Sequence, residues 1–199
     1  MTPDLTKLLD RLATDGRAFD ATQPDRLNRR RNLEPESARV LHALVAGTSP
    51  TAVLELGTSN GYSTIWLADA LTTADGSGSA PFTTVDNDPG RAGEARANIA
   101  AAGFTDRVHQ VVDDGLQVLT HASDGAYPFI FLDAERPLYV DWWPQLQRVL
   151  TDGGLLVVDN ALSHADQVTD FRALVDAAAG YRSLVLPVGA GLLVIAKQG

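Results

Sequence analysis

Apolar residues along the chain fall first into helical spacing and then into short blocks. Leu5, Leu8, Leu9 and Leu12 recur three and four apart after Pro3, and Val40, Leu41 and Leu44 do so between Pro35 and Val45. Two amphipathic helices are therefore expected before residue 50. From residue 51, runs rich in β-branched and aromatic residues alternate with longer helical stretches. Strands are expected at 52–56, 82–85, 107–111, 129–132, 154–158, 183–186 and 192–196, with helices near 61–71, 89–102, 114–121, 139–149 and 167–179. Each of the first five strands is followed by a helix, the sequence habit of a doubly wound, mostly parallel α/β sheet. Only Pro187-Val188-Gly189-Ala190-Gly191 separates the last two strands. That is too short for a parallel crossover, so they must form an antiparallel hairpin.

With 199 residues and 45% hydrophobic content, the chain can bury one substantial core, and no composition shift marks a second domain. The expectation is one domain over 1–199, with helices in 1–50 and a Rossmann-like core in 51–199. The run from Thr73 to Ala80, all small or polar, reads as a surface connection away from the strands' carboxyl ends. A formal charge of −9 opposes binding to nucleic acid or an acidic membrane, since either needs clustered cations. The one basic cluster, Arg29-Arg30-Arg31, reads either as a solvated loop or as a patch for acyl-CoA phosphates or an acidic substrate tail. Cysteine is absent, which leaves oxygen or histidine chemistry for any metal site. Neither a signal-type apolar segment nor a run of transmembrane length occurs, so a cytoplasmic protein is expected.

Residues 53–64, Val-Leu-Glu-Leu-Gly-Thr-Ser-Asn-Gly-Tyr-Ser-Thr, carry an apolar run through a glycine-bearing turn into a helix. Gly57 and Gly61 permit tight turning and close approach to a ligand, and the helix starting near Tyr62 offers free N–H groups to an anionic group. Ser59 stands where a dinucleotide turn needs its second glycine, which favours a ligand smaller than a dinucleotide. Glu55 sits beside the turn as a partner for a cation. The alternative is that the glycines only tighten a strand-to-helix connection.

Ligands of open α/β sheets bind beyond the carboxyl ends of the strands, and polar residues cluster there. Asp86 ends the second strand, where a carboxylate can accept both hydrogen bonds of a ribose diol. The competing role, helix capping, suits Asp88 before Pro89 better. Asp113 and Asp114 end the third strand, where capping is again the alternative. Asp133 ends the fourth strand and Asp159-Asn160 the fifth, so two carboxylates and a carboxamide should share neighbouring tips. Such a set suits a hard divalent ion such as Mg²⁺.

The turn resembles motif I of class I S-adenosylmethionine (SAM) dependent methyltransferases, and Glu-Leu-Gly-Thr-Ser-Asn-Gly-Tyr-Ser is most similar to the catechol and caffeoyl-CoA O-methyltransferase branch. Seven strands ending in a hairpin extend the resemblance from about residue 33 to the C-terminus. It implies that Glu55, Gly57, Ser59, Gly61, Ser63, Asp86, Asp114, Asp133 and Ala134 contact the cofactor, with Asp114 at the adenine amino group, or Asp113 if the assignment slips by one. It also implies that Asp133, Asp159 and Asn160 hold the divalent ion. The family reads Asp-Ala-Asp-Lys-x-x-Tyr after the fourth strand. This chain reads Asp133-Ala134-Glu135-Arg136-Pro137-Leu138-Tyr139, with Arg136 in place of a lysine thought to assist deprotonation of the acceptor hydroxyl.

Arginine stays protonated and cannot act as that base; it can lower a hydroxyl's pKa or clamp a substrate carboxylate. His164 is the candidate substitute base, with a solvated loop histidine as the alternative. Tyr139, Trp142 and Trp143 read as packing residues or as a wall for a flat substrate, with Pro144 in the first turn of their helix. Acceptor selection should lie in the segment through Leu33 and in residues 160–167. The expected activity is methylation of a hydroxyl on a small, aromatic, catechol-like acceptor, with a homodimer implied by the resemblance. The alternatives are a metal-independent methyltransferase of an acidic substrate, a SAM-binding module without catalysis, and a nicotinamide-dependent dehydrogenase.

Overall fold

The computed structural model describes residues 1–72 and 80–199; the small polar run at 73–79 lies outside the described residues. The strands are β1 (Val53–Leu56), β2 (Phe82–Asp86), β3 (Val108–Val112), β4 (Tyr127–Leu132), β5 (Leu150–Val158), β6 (Tyr181–Leu186) and β7 (Leu192–Lys197). They form a sheet in the order β3-β2-β1-β4-β5-β7-β6. Neighbours from β3 through β5 pair in parallel, and β7 runs antiparallel between β5 and β6. The doubly wound sheet with its C-terminal hairpin is therefore as the sequence leads one to expect.

The helices are α1 (Pro3–Thr22), α2 (Pro35–Thr48), α3 (Tyr62–Ala70), α4 (Pro89–Ala101), α5 (Gly115–His121), α6 (Tyr139–Val149) and α7 (Ala165–Ala177). Strands β1 and β4 lie at the centre and are nearly all apolar because both faces are covered. Val53, Phe82, Phe129, Phe131 and Val157 pack under α1 to α4, while Leu54, Leu56, Ile130, Leu132 and Leu156 pack under α5 to α7. Alternation along β1 therefore turns Glu55 toward the α3 side. Helix α3 is buried almost throughout, since it lies between the sheet and the N-terminal helices.

Three local readings differ from expectation. Strand β5 begins at Leu150 rather than near 154, because Leu150 pairs with Tyr127 ahead of a register shift. The turn-like Thr151-Asp152-Gly153-Gly154 is absorbed into that irregular strand, where a side chain at Gly154 would come within 2.7 Å of the Thr151 carbonyl oxygen. Helix α1 continues ten residues beyond Leu12, capped at its start by Thr2. Pro144 stands in the second turn of α6, not the first, since that helix starts at Tyr139. The proline leaves the carbonyl of Val140 without its helical donor, and Val140 is exposed, so water can supply one.

Backbone bonds carry the parallel ladder past the strand ends and fix the tips. Gly57 N–H donates to Val85 O at 2.9 Å, Asp113 N–H to Asp86 O at 3.1 Å, Asp133 N–H to Leu56 O at 2.9 Å and Asp159 N–H to Leu132 O at 3.2 Å. Four aspartates and the glycine turn are thereby held in one row. Among the described residues, no helix is long and apolar enough to cross a membrane.

Candidate active site

Two hollows meet along that row. The first is a cleft over β1, β2 and β3, bounded by the glycine turn, Asp86, Asp113, Asp114, Ala134 and Trp142. Gly57 has φ +109°, and a Cβ there would lie 2.0 Å from the Asp133 carbonyl oxygen, so only glycine lets β1 pass β4 at this point. Gly61 has φ +83° and caps α3 without a side chain, leaving the first N–H groups of that helix beside the cleft. Ser59 also adopts positive φ, at 47°; its N–H donates to Asp86 Oδ2 at 2.7 Å and its Oγ to the Arg30 carbonyl oxygen at 2.7 Å. The N-terminal segment is thus tied across the cleft, and Arg30, Arg31 and Asn32 line it, a role that no sequence signal had assigned to them.

The acidic residues of this cleft combine two roles. Asp86 Oδ1 accepts from Asp88 N–H at 3.0 Å, and both its oxygens keep lone pairs for a diol. Asp88 caps α4, as expected. Asp114 caps α5 by accepting from the N–H groups of Leu116 and Gln117, and Asp113 braces Asp114 N–H at 2.7 Å. The capping alternative is therefore realised at Asp114, although both aspartates also line the cleft.

Glu55 does not line the cleft. Its carboxyl is fully buried and receives the hydroxyls of Ser63 at 2.5 Å, Thr64 at 2.6 Å and Thr84 at 2.7 Å. Burial lifts its pKa to about 7, with the three hydroxyl bonds opposing the rise. Its link to the cleft runs through Ser63, which does line it.

Trp142 packs in the same core as Tyr139 and Trp143 and, alone of the three, also lines a hollow. Its indole lies against Gly115, where a Cβ would come within 2.7 Å, and it walls the first cleft. Trp143 packs edge-on against Phe171 and Tyr181, and Tyr139 is buried with its hydroxyl donating to Ala134 O and accepting from Ala134 N–H.

The second hollow, of about 540 Å³, lies between α1, the segment that follows it and the loop after β5. Arg136, Asp159 and Asn160 are on its floor, and His164 is also in its lining. Arg136 is only 2% exposed; its Nη1 donates to Asn160 Oδ1 at 2.8 Å and its Nε to Gln167 Oε1 at 2.9 Å. Asn160, held at φ +63°, donates from Nδ2 to Asp159 Oδ2 at 2.7 Å. Among the described residues, three buried atoms of this lining have no partner: Arg136 Nη2 and Asp159 Oδ1 on the floor, and Asn32 Oδ1. An orphaned donor and an orphaned acceptor in one hollow are unfavourable in the empty protein and suit a ligand that satisfies both.

Electrostatics sharpen the same point. Burial, followed by the neighbouring Asp133 carboxylate, lifts the Asp159 pKa well above the usual range. Burial lifts Asp133 to about 6 despite Arg31 and Arg136 nearby. His164 is shifted the other way, toward its neutral form, by burial and then by Arg136, Arg26 and Arg31. Its Nδ1 lies 2.9 Å from Ser163 Oγ.

The donor set fits a divalent ion: a buried carboxylate with an unpartnered oxygen, a half-buried carboxylate that repels it, and a carboxamide beside them. Among the described residues no cluster of three or more histidine, cysteine, aspartate or glutamate side chains is placed to hold a metal, so the amide is needed as third donor.

The profile of the O-methyltransferase family matches residues 14–179. A catechol O-methyltransferase of Niastella koreensis is 32% identical over 166 residues, covering 82% of this chain and 72% of that protein. A catechol O-methyltransferase of Mycobacterium tuberculosis is 31% identical over 174 residues, covering 80% and 72%. In fold, the chain is similar to an O-methyltransferase from Bacillus cereus solved in complex with S-adenosylhomocysteine, with a TM-score of 0.77, 23% identity and coverage of 96% and 91%.

Proposed function

The chain belongs to the O-methyltransferase family, in its SAM-dependent catechol and caffeoyl-CoA type, and from that membership we propose that it methylates a hydroxyl of a small aromatic acceptor with the help of a divalent ion. The observation that carries this reading is the pair of orphaned atoms, Asp159 Oδ1 and Arg136 Nη2, in a hollow that shares Asn160 and Arg136 with the glycine-turn cleft.

In this reading the donor occupies the first cleft. The glycine turn and the start of α3 take its amino-acid end, Asp86 its ribose and Asp114 with Trp142 its base. Asp133 and Ala134 also line this cleft, and Arg136 and Asn160 border both hollows. Bound there, SAM supplies a methyl group on a sulfonium. The protein holds an acceptor oxygen in line behind that methyl, and proximity supplies much of the rate gain.

Asp133, Asp159 and Asn160 would hold the ion, which on binding acceptor oxygens favours their ionised form near neutral pH. Arg136 donates to the developing oxyanion through Nη2 and remains a cation throughout. His164, in the lining of the second hollow and shifted toward its neutral form, accepts the acceptor's proton in this reading. In the same reading the chain works as a cytoplasmic homodimer.

A second reading is favoured by one contact. Arg136 Nη1 already occupies the oxygen of Asn160 that the ion would use, so a fixed guanidinium could serve as the site's cation. Assay with SAM and a panel of catechols, with and without exhaustive chelation, separates the two. Metal dependence predicts loss of at least about 100-fold on chelation with recovery on adding Mg²⁺. Full activity in the chelated enzyme removes the ion from the mechanism, and SAM binding without turnover of any catechol sinks the acceptor class.

A further inference from the structure

Arginine dominates the charge of the second hollow. Its lining contains Arg17, Arg26, Arg29, Arg31 and Arg136 against three carboxylates, Asp20, Glu34 and Asp159, in a protein whose net charge is −9. Asp20 is spent on backbone, accepting from the N–H groups of Arg30 and Arg31 at 2.7 and 2.9 Å. Glu135 beside the hollow pairs with Arg31 at 2.8 Å and, more loosely, with Arg26 at 3.4 Å. Arg17 and Arg29 make no ion pair among the described residues; Arg29 is fixed at its root by its Nε, which donates to the Gln23 carbonyl oxygen at 3.0 Å. Cationic heads on a part-buried rim, over a floor that ends in Arg136, form a hollow that attracts an anion.

We propose that the acceptor carries a carboxylate on its ring, held at the rim by Arg29 and Arg26 while its hydroxyls face Asp159 and Arg136 on the floor. This rests on the reading of the second hollow as the acceptor site. A guanidinium suits a carboxylate because its planar fork can donate two parallel bonds. A volume of about 540 Å³ readily accommodates one substituted ring with its carboxylate and hydroxyls. The class is therefore small hydroxylated aromatic acids.

The test is calorimetry on the protein saturated with S-adenosylhomocysteine and Mg²⁺, titrated with 3,4-dihydroxybenzoate, with 3,4-dihydroxybenzamide and with free coenzyme A. The two benzoyl compounds share the catechol, so their ratio isolates the carboxylate. The acid should bind at least about tenfold tighter than the amide, with a preference that shrinks at high salt. Arg29→Gln should cut that preference to under about threefold, and Arg29→Lys should recover part of it. Equal affinities, or no binding of either compound, overturn the proposal, and so does a preference unmoved by Arg29→Gln. Tighter binding of coenzyme A than of the acid reassigns the arginines to phosphate and overturns it as well. Should Arg29→Gln fail to fold, the ratio and its salt dependence in the unaltered protein decide the matter. An acid preference without methyl transfer counts against the proposed activity and leaves this assignment standing.

Discussion

Glu55 and Asp159 are carboxylates buried on the same parallel sheet, both with pKa values lifted by loss of water, yet their surroundings differ in one respect. At Glu55, three hydroxyls from α3 and β2 reach the two oxygens, and nothing is missing. At Asp159, one oxygen takes the amide of its neighbour and the other has no partner. The contrast teaches how to tell a carboxylate that belongs to the scaffold from one reserved for a ligand. Depth and proton affinity do not separate them, whereas hydrogen-bond saturation does.

The strongest way to break the contrast is Asp159→Asn. It should lower kcat/KM by about 1,000-fold, roughly 4 kcal/mol of transition-state stabilisation. The melting temperature should hold or rise, because a buried carboxyl whose ionised form is disfavoured gives way to a neutral amide. Near-normal turnover would make Asp159 a scaffold residue.

Next in size is the pH dependence of folding at Glu55. Its folded pKa of about 7 lies above the ordinary 4.5, so the folded state binds its proton more tightly than the unfolded chain. Stability is then greatest below pH 4.5 on this account and falls as pH rises through the window to about 7, by about 3 kcal/mol. Glu55→Gln should flatten that slope in urea titrations run at several pH values; an unchanged slope would assign it elsewhere.

A smaller effect is expected from Thr64→Val, which removes one of the three hydroxyl donors at nearly constant volume. The urea midpoint at neutral pH should fall by an amount corresponding to about 1.5 kcal/mol, while a variant as stable as the parent would show that the remaining two suffice. Smallest of all is Arg136→Lys. An ammonium cannot hold Asn160 and Gln167 in one plane as the guanidinium does. Acceptor KM should rise about fivefold, near 1 kcal/mol, with affinity for S-adenosylhomocysteine unchanged in calorimetry. A comparable loss of cofactor affinity would show that Arg136 serves the donor cleft instead.

The sheet and its hairpin were legible because strand runs and helical spacing alternate without ambiguity, and because Pro187 to Gly191 is too short for any crossover. The tips were legible for a similar reason: the residue after each apolar run must face the carboxyl edge. What stayed hidden depends on contacts distant in sequence. Nothing local to Glu55 announces hydroxyls from residues 63, 64 and 84, and only the three-dimensional fold reveals that this carboxyl is saturated. Nor does the Arg29 to Arg31 run declare that Ser59 pins it over the cofactor turn through Arg30 O. Pro144 was assigned to the first turn although, in a helix that starts at Tyr139, the sixth residue already stands in the second.

The segment containing Arg31, Asn32 and Leu33 borders both hollows at once. A partition shared by two binding sites makes their occupancies interdependent: whatever one occupant gains by fixing the partition, its neighbour no longer has to spend in entropy. If the second hollow takes the acceptor as proposed, thermodynamic linkage requires the help to be mutual: the acceptor tightens cofactor binding by the same factor in affinity that the cofactor lends to the acceptor.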